Sequence, residues 1–298
     1  MRRLTLPVLA GVAIIALTAA IAIPNPTAAA LQTPAPAQET TPVLVDVRAA
    51  HHTGYDRLVF EFTGALPATY GVTVVDQVIG DFSGERVPVV GDAFLRITFA
   101  AATGHDDAGT GTYGPTRRTF ALPDIIEVVN AGDFEAVLTF GVGLATPSSF
   151  QVSTLTAPSR VVIDIATPFN TLDVRDYFIQ NGTLAALAVL RPVIGPATGK
   201  GALQRLFAGP TQGELAAGLR FVNSDATGFT GLAIVDRVAR VQLVGGCASH
   251  GSTVTIANEI VPTLKQFPTV GWVKIYDPSG ATEQPTGYSD SIPICLEP

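Results

Sequence analysis

The sequence predicts two domains, an N-terminal antiparallel β-sandwich and a C-terminal α+β domain in which helices cover a mostly antiparallel sheet. The length of 298 residues is enough for two domains of ordinary size, each with its own core. The low charged fraction of 14%, together with 29 glycines and 22 prolines, favours turn-rich β structure over a helical bundle. Apolar residues alternate with period two in the first half, and helical spacing appears only in the second.

The N-terminus has the pattern of a secretory signal peptide over residues 1–30. Arg2 and Arg3 precede an apolar run over residues 4–23, and small residues follow at Ala28–Ala30. The alternative is an uncleaved anchor, because about 20 apolar residues can span a bilayer. In either case the sequence predicts a secreted or cell-envelope location, with membrane contact only if the leader is retained.

Two cysteines, Cys247 and Cys295, are expected to form a disulfide, because an exported chain folds in an oxidising compartment. Two separate buried thiols are the alternative. The first cysteine lies far from the leader, which excludes a lipid anchor. The wide spacing argues against a catalytic dithiol.

The charge balance excludes some partners. The net charge of -7 provides no basic surface for neutralising phosphates, so neither nucleic acid nor an anionic membrane surface is an expected partner.

Residues 31–42, rich in proline and alanine, predict an extended linker ahead of a β-sandwich at residues 43–167. Four segments of that domain show strict alternation of apolar and polar residues, which is typical of half-buried strands. Their apolar positions are Leu58, Phe60, Phe62; Leu95, Ile97, Phe99; Leu138, Phe140, Val142; and Val161, Ile163, Ile165. Strands that are apolar on one side must pair face to face, so a sandwich is predicted.

Motifs along this whole region resemble the AMIN-like domain of actinobacterial envelope proteins. They comprise His52, Gly54, Tyr55, Asp56, Arg57, Val59, Glu61 and Phe62; Gly104, His105, Asp106, Gly109 and Tyr113; Gly132, Asp133, Phe134, Glu135 and residues 139–144; and residues 158–162 with Asp164. The related AMIN domain is a β-sandwich that binds peptidoglycan. The resemblance therefore implies contact with a wall glycan, and it carries over no catalytic residue.

Histidines and carboxylates of this domain have structural interpretations. A loop with His105, Asp106 and Asp107 could ligate a divalent ion, but it lacks EF-hand spacing, so a solvated loop is preferred. His51 and His52 are adjacent on a predicted strand and point to opposite faces, so we interpret them as a strand edge.

Opposite charges on neighbouring strands predict cross-strand ion pairs without a functional site. The residues are Asp56, Arg57, Glu61, Arg160 and Asp164.

The second domain, residues 172–298, starts with a predicted hairpin of residues 174–179 and 184–190 around Asn181 and Gly182. Arg191 and Pro192 are expected to end its second strand.

A helix over residues 201–208 should stop at Gly209 and Pro210, and Thr211 with Glu214 forms a capping box for the next turn.

A second hairpin is predicted at residues 232–235 and 238–244. A helix from Ser252 or Thr253 to Phe267 follows, kinked at Pro262, and residues 272–276 form a last strand.

The segments at residues 203–214 and 263–268 resemble the GerMN domain, named for sporulation and spore-germination proteins. The resemblance implies an α+β fold that assembles with envelope proteins and has no active site. The tail over residues 284–298 extends beyond a minimal GerMN domain and could cover a partner surface.

The sequence therefore predicts a non-enzymatic envelope protein that binds peptidoglycan or another wall component and assembles with protein partners, the two halves being joined by a hinge at residues 168–171. No catalytic residue, cofactor or metal is expected. A self-assembling scaffold without glycan binding is one alternative. An envelope hydrolase is the other, although Ser249, His250 and Ser252 lack nucleophile-elbow spacing. Phosphate binding at residues 195–201 is not expected, because Lys200 lacks P-loop spacing.

Overall fold

A computed structural model describes residues 41–298 of the chain. The predicted signal peptide and residues 31–40 of the predicted linker lie outside the described residues. Within residues 41–298, no helix has the length and apolar character needed to cross a membrane.

The first half of the described chain forms two antiparallel sheets. Its strands are β1 Val43–His52, β2 Tyr55–Thr63, β3 Thr69–Val75, β4 Ala93–Ala100, β5 Arg117–Thr119, β6 Ile125–Phe134, β7 Val137–Leu144, β8 Phe150–Thr156 and β9 Ser159–Ala166. One sheet has the order β1-β2-β9-β8 and the other β3-β4-β7-β6-β5. Phe60, Ile97, Phe140 and Ile163 meet in one buried core between the sheets, as the alternation predicts. The predicted β-sandwich is confirmed.

The segment 76–92 between β3 and β4 lies across the outer face of the five-stranded sheet. Glycines make this close approach possible. A Cβ on Gly143 would lie 1.9 Å from the carbonyl oxygen of Val90, and one on Gly132 would lie 2.6 Å from the Asp81 carboxylate. The segment buries Val78 and Val89 against the sheet.

The second half combines two small sheets with helices. Its elements are β10 Thr171–Gln180, β11 Ala186–Ile194, α1 Thr198–Ala208, α2 Gln212–Ala216, β12 Leu219–Arg220, β13 Ala226–Val235, β14 Val238–Gly245, α3 Ala257–Lys265, β15 Trp272–Tyr276 and a short 3-10 helix, Ile294–Leu296. The sheet orders are β11-β10-β12 and β13-β14-β15, and only the β14–β15 pairing is parallel. Leu206 of α1 and Ile260 of α3 pack into a core separate from that of the sandwich. The predicted α+β class is confirmed.

Several local predictions for this half are correct. Strand β15 has the predicted bounds, and both hairpins form where the turns were expected. Thr211 and Glu214 make the reciprocal bonds of a capping box. Gly209, directly after α1, has φ 84°, a backbone conformation that favours glycine. Pro262 lies inside α3, as predicted.

Several boundaries were wrong, including the start of β13, which lies at Ala226 instead of residue 232. Strand β11 continues through Pro192 to Ile194, because β11 is an edge strand and can turn the missing N–H of proline away from the sheet. Helix α1 begins at Thr198 instead of residue 201. Helix α3 begins at Ala257 instead of near Ser252, whose hydroxyl bonds locally to Val254 in the preceding loop.

The predicted disulfide is confirmed. The sulfur atoms of Cys247 and Cys295 are 2.02 Å apart. The tail also lies along β15, where the N–H of Ser291 donates to the Val273 carbonyl at 3.0 Å. The tail therefore extends the second domain.

Candidate ligand-binding cleft at the domain junction

A cleft of about 350 Å³ opens where the sandwich meets the start of β10. Its walls come from the end of the β1–β2 hairpin, the segment before β6, and the connection from β9 to β10. The lining residues are His51, Thr53, Gly54, Pro123, Thr167, Pro168, Phe169, Asn170 and Thr171. The cleft thus places His51, which was assigned to a strand edge, beside residues 168–171, which were predicted to form a hinge.

His51 is held in place by a buried carboxylate. Its Nδ1 lies 2.8 Å from Oδ1 of Asp56, which is fully buried, whereas the His51 side chain is 45% exposed. Oδ2 of Asp56 accepts the backbone N–H groups of Asp124 at 2.7 Å and Ile125 at 3.1 Å. A carboxylate that receives these bonds leaves Nδ1 of His51 as the donor, so Nε2 is the ring nitrogen available to a ligand.

Hydroxyl and amide groups supply the other polar contacts of the cleft. The side-chain oxygen of Thr167 is buried and has no hydrogen-bond partner within residues 41–298. Its backbone N–H donates to the Gly54 carbonyl at 2.9 Å, which fixes its position. The described lining contains no lysine, arginine, aspartate or glutamate. Such a surface suits a neutral ligand rich in hydroxyl groups.

A smaller pocket of about 150 Å³ lies on another side of the junction, between Asp92 and α1. Nζ of Lys200 lies 2.6 and 2.7 Å from the two Asp92 carboxylate oxygens. Gln204 donates to the same carboxylate at 2.8 Å. The charge of Lys200 is therefore matched by Asp92, which disfavours an anion at residues 195–201.

Arg205 of α1 connects the two halves. Its guanidinium donates to the Pro123 carbonyl at 2.8 Å and to the Ile125 carbonyl at 3.3 Å, and the side chain is almost fully buried. Burial lowers the pKa of Arg205 to about 10, against the opposing effect of Asp124 and Asp176. Burial likewise raises the pKa of Asp124 to about 6. The junction is consequently a buried polar contact, where the sequence indicated a hinge.

Two phenylalanines protrude from the sandwich away from its core. Phe82 is 87% exposed and Phe134 is 57% exposed, with ring centroids 6.0 Å apart. The turn that carries Phe82 is held against the sheet by Asp81. The N–H of Asp81 donates to the Ala131 carbonyl at 3.0 Å, and the Asp81 carboxylate forms an ion pair with Arg96. This aromatic pair was not singled out from the sequence.

The predicted cross-strand ion pairs are partly confirmed. Arg57 makes two bonds to Asp164, at 2.7 and 2.8 Å, across β2 and β9. Glu61 pairs with Arg48 at 2.8 Å across β1 and β2, whereas Arg160 donates to the carbonyls of Pro158 and Ala157 in its own turn. Asp56 faces His51 across β1 and β2, but its carboxylate is buried and also accepts two backbone N–H groups, which the sequence did not indicate.

The other histidines have local partners. His105 lies 2.8 Å from the Asp133 carboxylate, and Asp106 closes its own loop by accepting backbone N–H groups. His52 stacks on Tyr55 at 5.0 Å. Across residues 41–298 no group of three or more His, Cys, Asp or Glu side chains is arranged to hold a metal ion.

His250 pairs with Asp225 at 3.0 Å, and both side chains are more than half exposed. The hydroxyl of Ser249 accepts from the backbone of Gly251, and that of Ser252 donates to the Val254 carbonyl. The described contacts therefore engage both serines with backbone groups.

Residues 42–167 match the family model of the AMIN-like domain, so this first resemblance is confirmed. AMIN-like domains are generally extracytoplasmic envelope modules, and the match indicates a cell-envelope-related protein. It ends at residue 167 and does not reach residues 203–214 or 263–268, so the GerMN resemblance stays a prediction. No curated protein and no solved structure matches the sequence.

Proposed function

We propose that the chain is a secreted, non-enzymatic envelope protein whose β-sandwich binds peptidoglycan or a similar wall glycan in the cleft at His51. The observation that carries the proposal is the position of one AMIN-like motif. Gly54 lines the cleft, and Asp56 lies directly behind His51. The region that matches the AMIN-like domain, a relative of the peptidoglycan-binding AMIN domain, thus supplies one side of the hydroxyl-rich cleft.

The chemistry of the cleft fits a sugar. Sugar hydroxyls both donate and accept hydrogen bonds, as do the exposed side chains of Thr53 and Asn170 in the lining. When Nδ1 of a neutral His51 donates to Asp56, Nε2 can accept a hydrogen bond from a sugar hydroxyl. Phe169, half-buried in the lining, offers an apolar face for the carbon side of a sugar ring.

Retention on purified peptidoglycan tests the proposal. The chain without its predicted leader, residues 31–298, should sediment with insoluble peptidoglycan at low salt. The His51→Ala variant should bind up to about tenfold more weakly, since one lost hydrogen bond contributes about 0.5–1.5 kcal/mol. His250→Ala is the matched control, because it removes another Asp-paired histidine far along the chain. The proposal fails if the parent chain stays in solution, or if the His51 and His250 variants bind equally.

The same assay distinguishes binding in the cleft from binding at the exposed aromatic pair, Phe82 and Phe134. Phe82→Ser should leave retention unchanged if the ligand occupies the cleft. A loss of retention with Phe82→Ser but not with His51→Ala would move the site to the aromatic pair and refute the assignment to the cleft.

A hydrolase is the second candidate, because a histidine oriented by a buried aspartate is the arrangement of a general base. It also needs a nucleophile or a positioned water. The described hydrogen bonds of His51 include no contact with a hydroxyl. Release of soluble wall fragments by the parent chain, abolished in His51→Ala, would favour the hydrolase over the binding protein.

The second half is proposed to assemble with envelope proteins, as the GerMN resemblance implies, with self-assembly as the alternative. Sedimentation velocity of residues 31–298 over a hundredfold concentration range separates these cases. A sedimentation coefficient that rises with concentration supports self-assembly. A constant monomer value excludes it and leaves a different protein as the partner.

A further inference from the structure

Arg205 of the second half bonds to Pro123, which lines the cleft of the first. We infer that Arg205 is a positioning residue for ligand binding at His51, so that the second domain prepares the binding site of the first. This inference rests on the proposed function and adds to it a role for the C-terminal half.

The first step is the contact itself. Arg205 lies on α1 in the second half, yet its two hydrogen bonds end on Pro123 and Ile125 of the sandwich. Arg205 and Ile125 are buried and Pro123 is half-buried, so water has little access to these bonds while the two halves stay together. The guanidinium thus donates to the carbonyls of the residues on either side of Asp124.

The second step leads from this segment to the histidine. The N–H groups of Asp124 and Ile125 donate to Asp56, and the other oxygen of Asp56 holds Nδ1 of His51. Pro123 itself lines the cleft. One three-residue segment is therefore bonded to Arg205 through its carbonyls and to Asp56 through its N–H groups.

The third step concerns charge. Arg205 is surrounded by the buried carboxylates of Asp124, Asp176 and Asp56. Arg191 is the other buried arginine near Asp176, but it bonds to Glu214 at 2.7 and 2.5 Å within the second half. Removal of Arg205 would leave the Pro123 and Ile125 carbonyls without their donor and the carboxylates without a nearby positive charge, so the segment at residues 123–125 would shift.

The test uses residues 31–298 carrying Arg205→Met, with Arg191→Met as the matched control. Both variants remove one buried guanidinium from the second half. Only Arg205→Met removes hydrogen bonds to the sandwich. Two readouts are measured, retention on purified peptidoglycan and the imidazole nitrogen NMR signals. The chain has only four histidines, so the His51 signals can be assigned by comparison with His51→Ala.

Arg205→Met should move the His51 nitrogen signals, leave those of His250 in place, and weaken retention by up to about tenfold, as His51→Ala does. Arg191→Met should change neither the His51 signals nor retention. If Arg205→Met does not fold, Arg205→Lys is tested in its place. Lysine keeps the positive charge but cannot donate to both carbonyls. Arg205→Lys should therefore move the His51 signals by a smaller amount. Unchanged His51 signals in a folded Arg205 variant would overturn the inference. Failure of the parent chain to bind would instead refute the proposed function, since the NMR readout does not depend on the ligand.

Discussion

Removal of the disulfide should cost the second domain about 4 kcal/mol of unfolding free energy. Cys247 and Cys295 are 48 residues apart, and the loop-entropy relation gives this value for a closed loop of that length. The perturbation is the double variant Cys247→Ser with Cys295→Ser, which leaves no free thiol. The assay is urea unfolding followed by fluorescence of Trp272, the single tryptophan, which is 38% exposed on β15.

The folded tail should survive this change, because other contacts hold it. Ser291 exchanges backbone hydrogen bonds with Val273 and Ile275 of β15, and Leu296 is buried in the core. The effect should therefore arise mostly in the unfolded chain, which gains freedom when the loop opens. Reduction of the parent protein with a thiol should give the same fall in midpoint. A loss below about 1 kcal/mol would refute the reasoning.

Two further predictions concern burial. Burial raises the pKa of Glu259 to about 9, above its unfolded value of 4.5, so stability should fall as pH rises from about 5 towards 9, by about 1.4 kcal/mol per pH unit. Glu259→Gln should flatten that dependence in urea unfolding at pH 5 to 8, and parallel curves would contradict it. Gly143→Ala should cost about 1–3 kcal/mol, because the new Cβ meets the Val90 carbonyl. Gly71→Ala, which enters open space, is the control, and an equal loss in both variants would contradict the steric explanation.

The strands of the sandwich could be predicted because each has one apolar side. Phe60 and Phe140 meet in the core because alternation places them on the inward faces of β2 and β7. Local turn chemistry was equally informative: Asp236 and Arg237, between β13 and β14, both have positive φ, as a two-residue hairpin turn requires.

The cleft could not be predicted, because its key side chains are charged or polar and bind partners far along the chain. Asp56 contacts the backbone of Asp124, 68 residues away, and Arg205 contacts Pro123, 82 residues away. A charged residue beside an apolar run is normally solvated, so sequence patterns assign these residues to the surface. Packing within the sandwich brings Asp56 to Asp124, and the domain junction brings Arg205 to Pro123.

Helix α1 carries a signal that could have indicated this junction. Its apolar face, with Leu203, Leu206 and Phe207, accounts for packing against its own domain. Gln204 and Arg205 lie on other sides of the helix and are nevertheless buried, because the sandwich covers them. A short helix with one apolar face, whose remaining sides carry few exposed charges, is therefore a candidate for contact with a second domain.

The polar character of the junction has a mechanical consequence. A buried network of charges adds little net stability, because desolvation offsets the attraction between its members, but it is costly to break when one member is removed. An apolar contact is non-directional, whereas the hydrogen bonds from Arg205 to its two carbonyls depend on distance and angle. The junction therefore fixes the orientation of the two halves more than it strengthens their association. A partner bound to the second half would act on His51 if it moved α1, and glycan binding at His51 would in turn resist that movement.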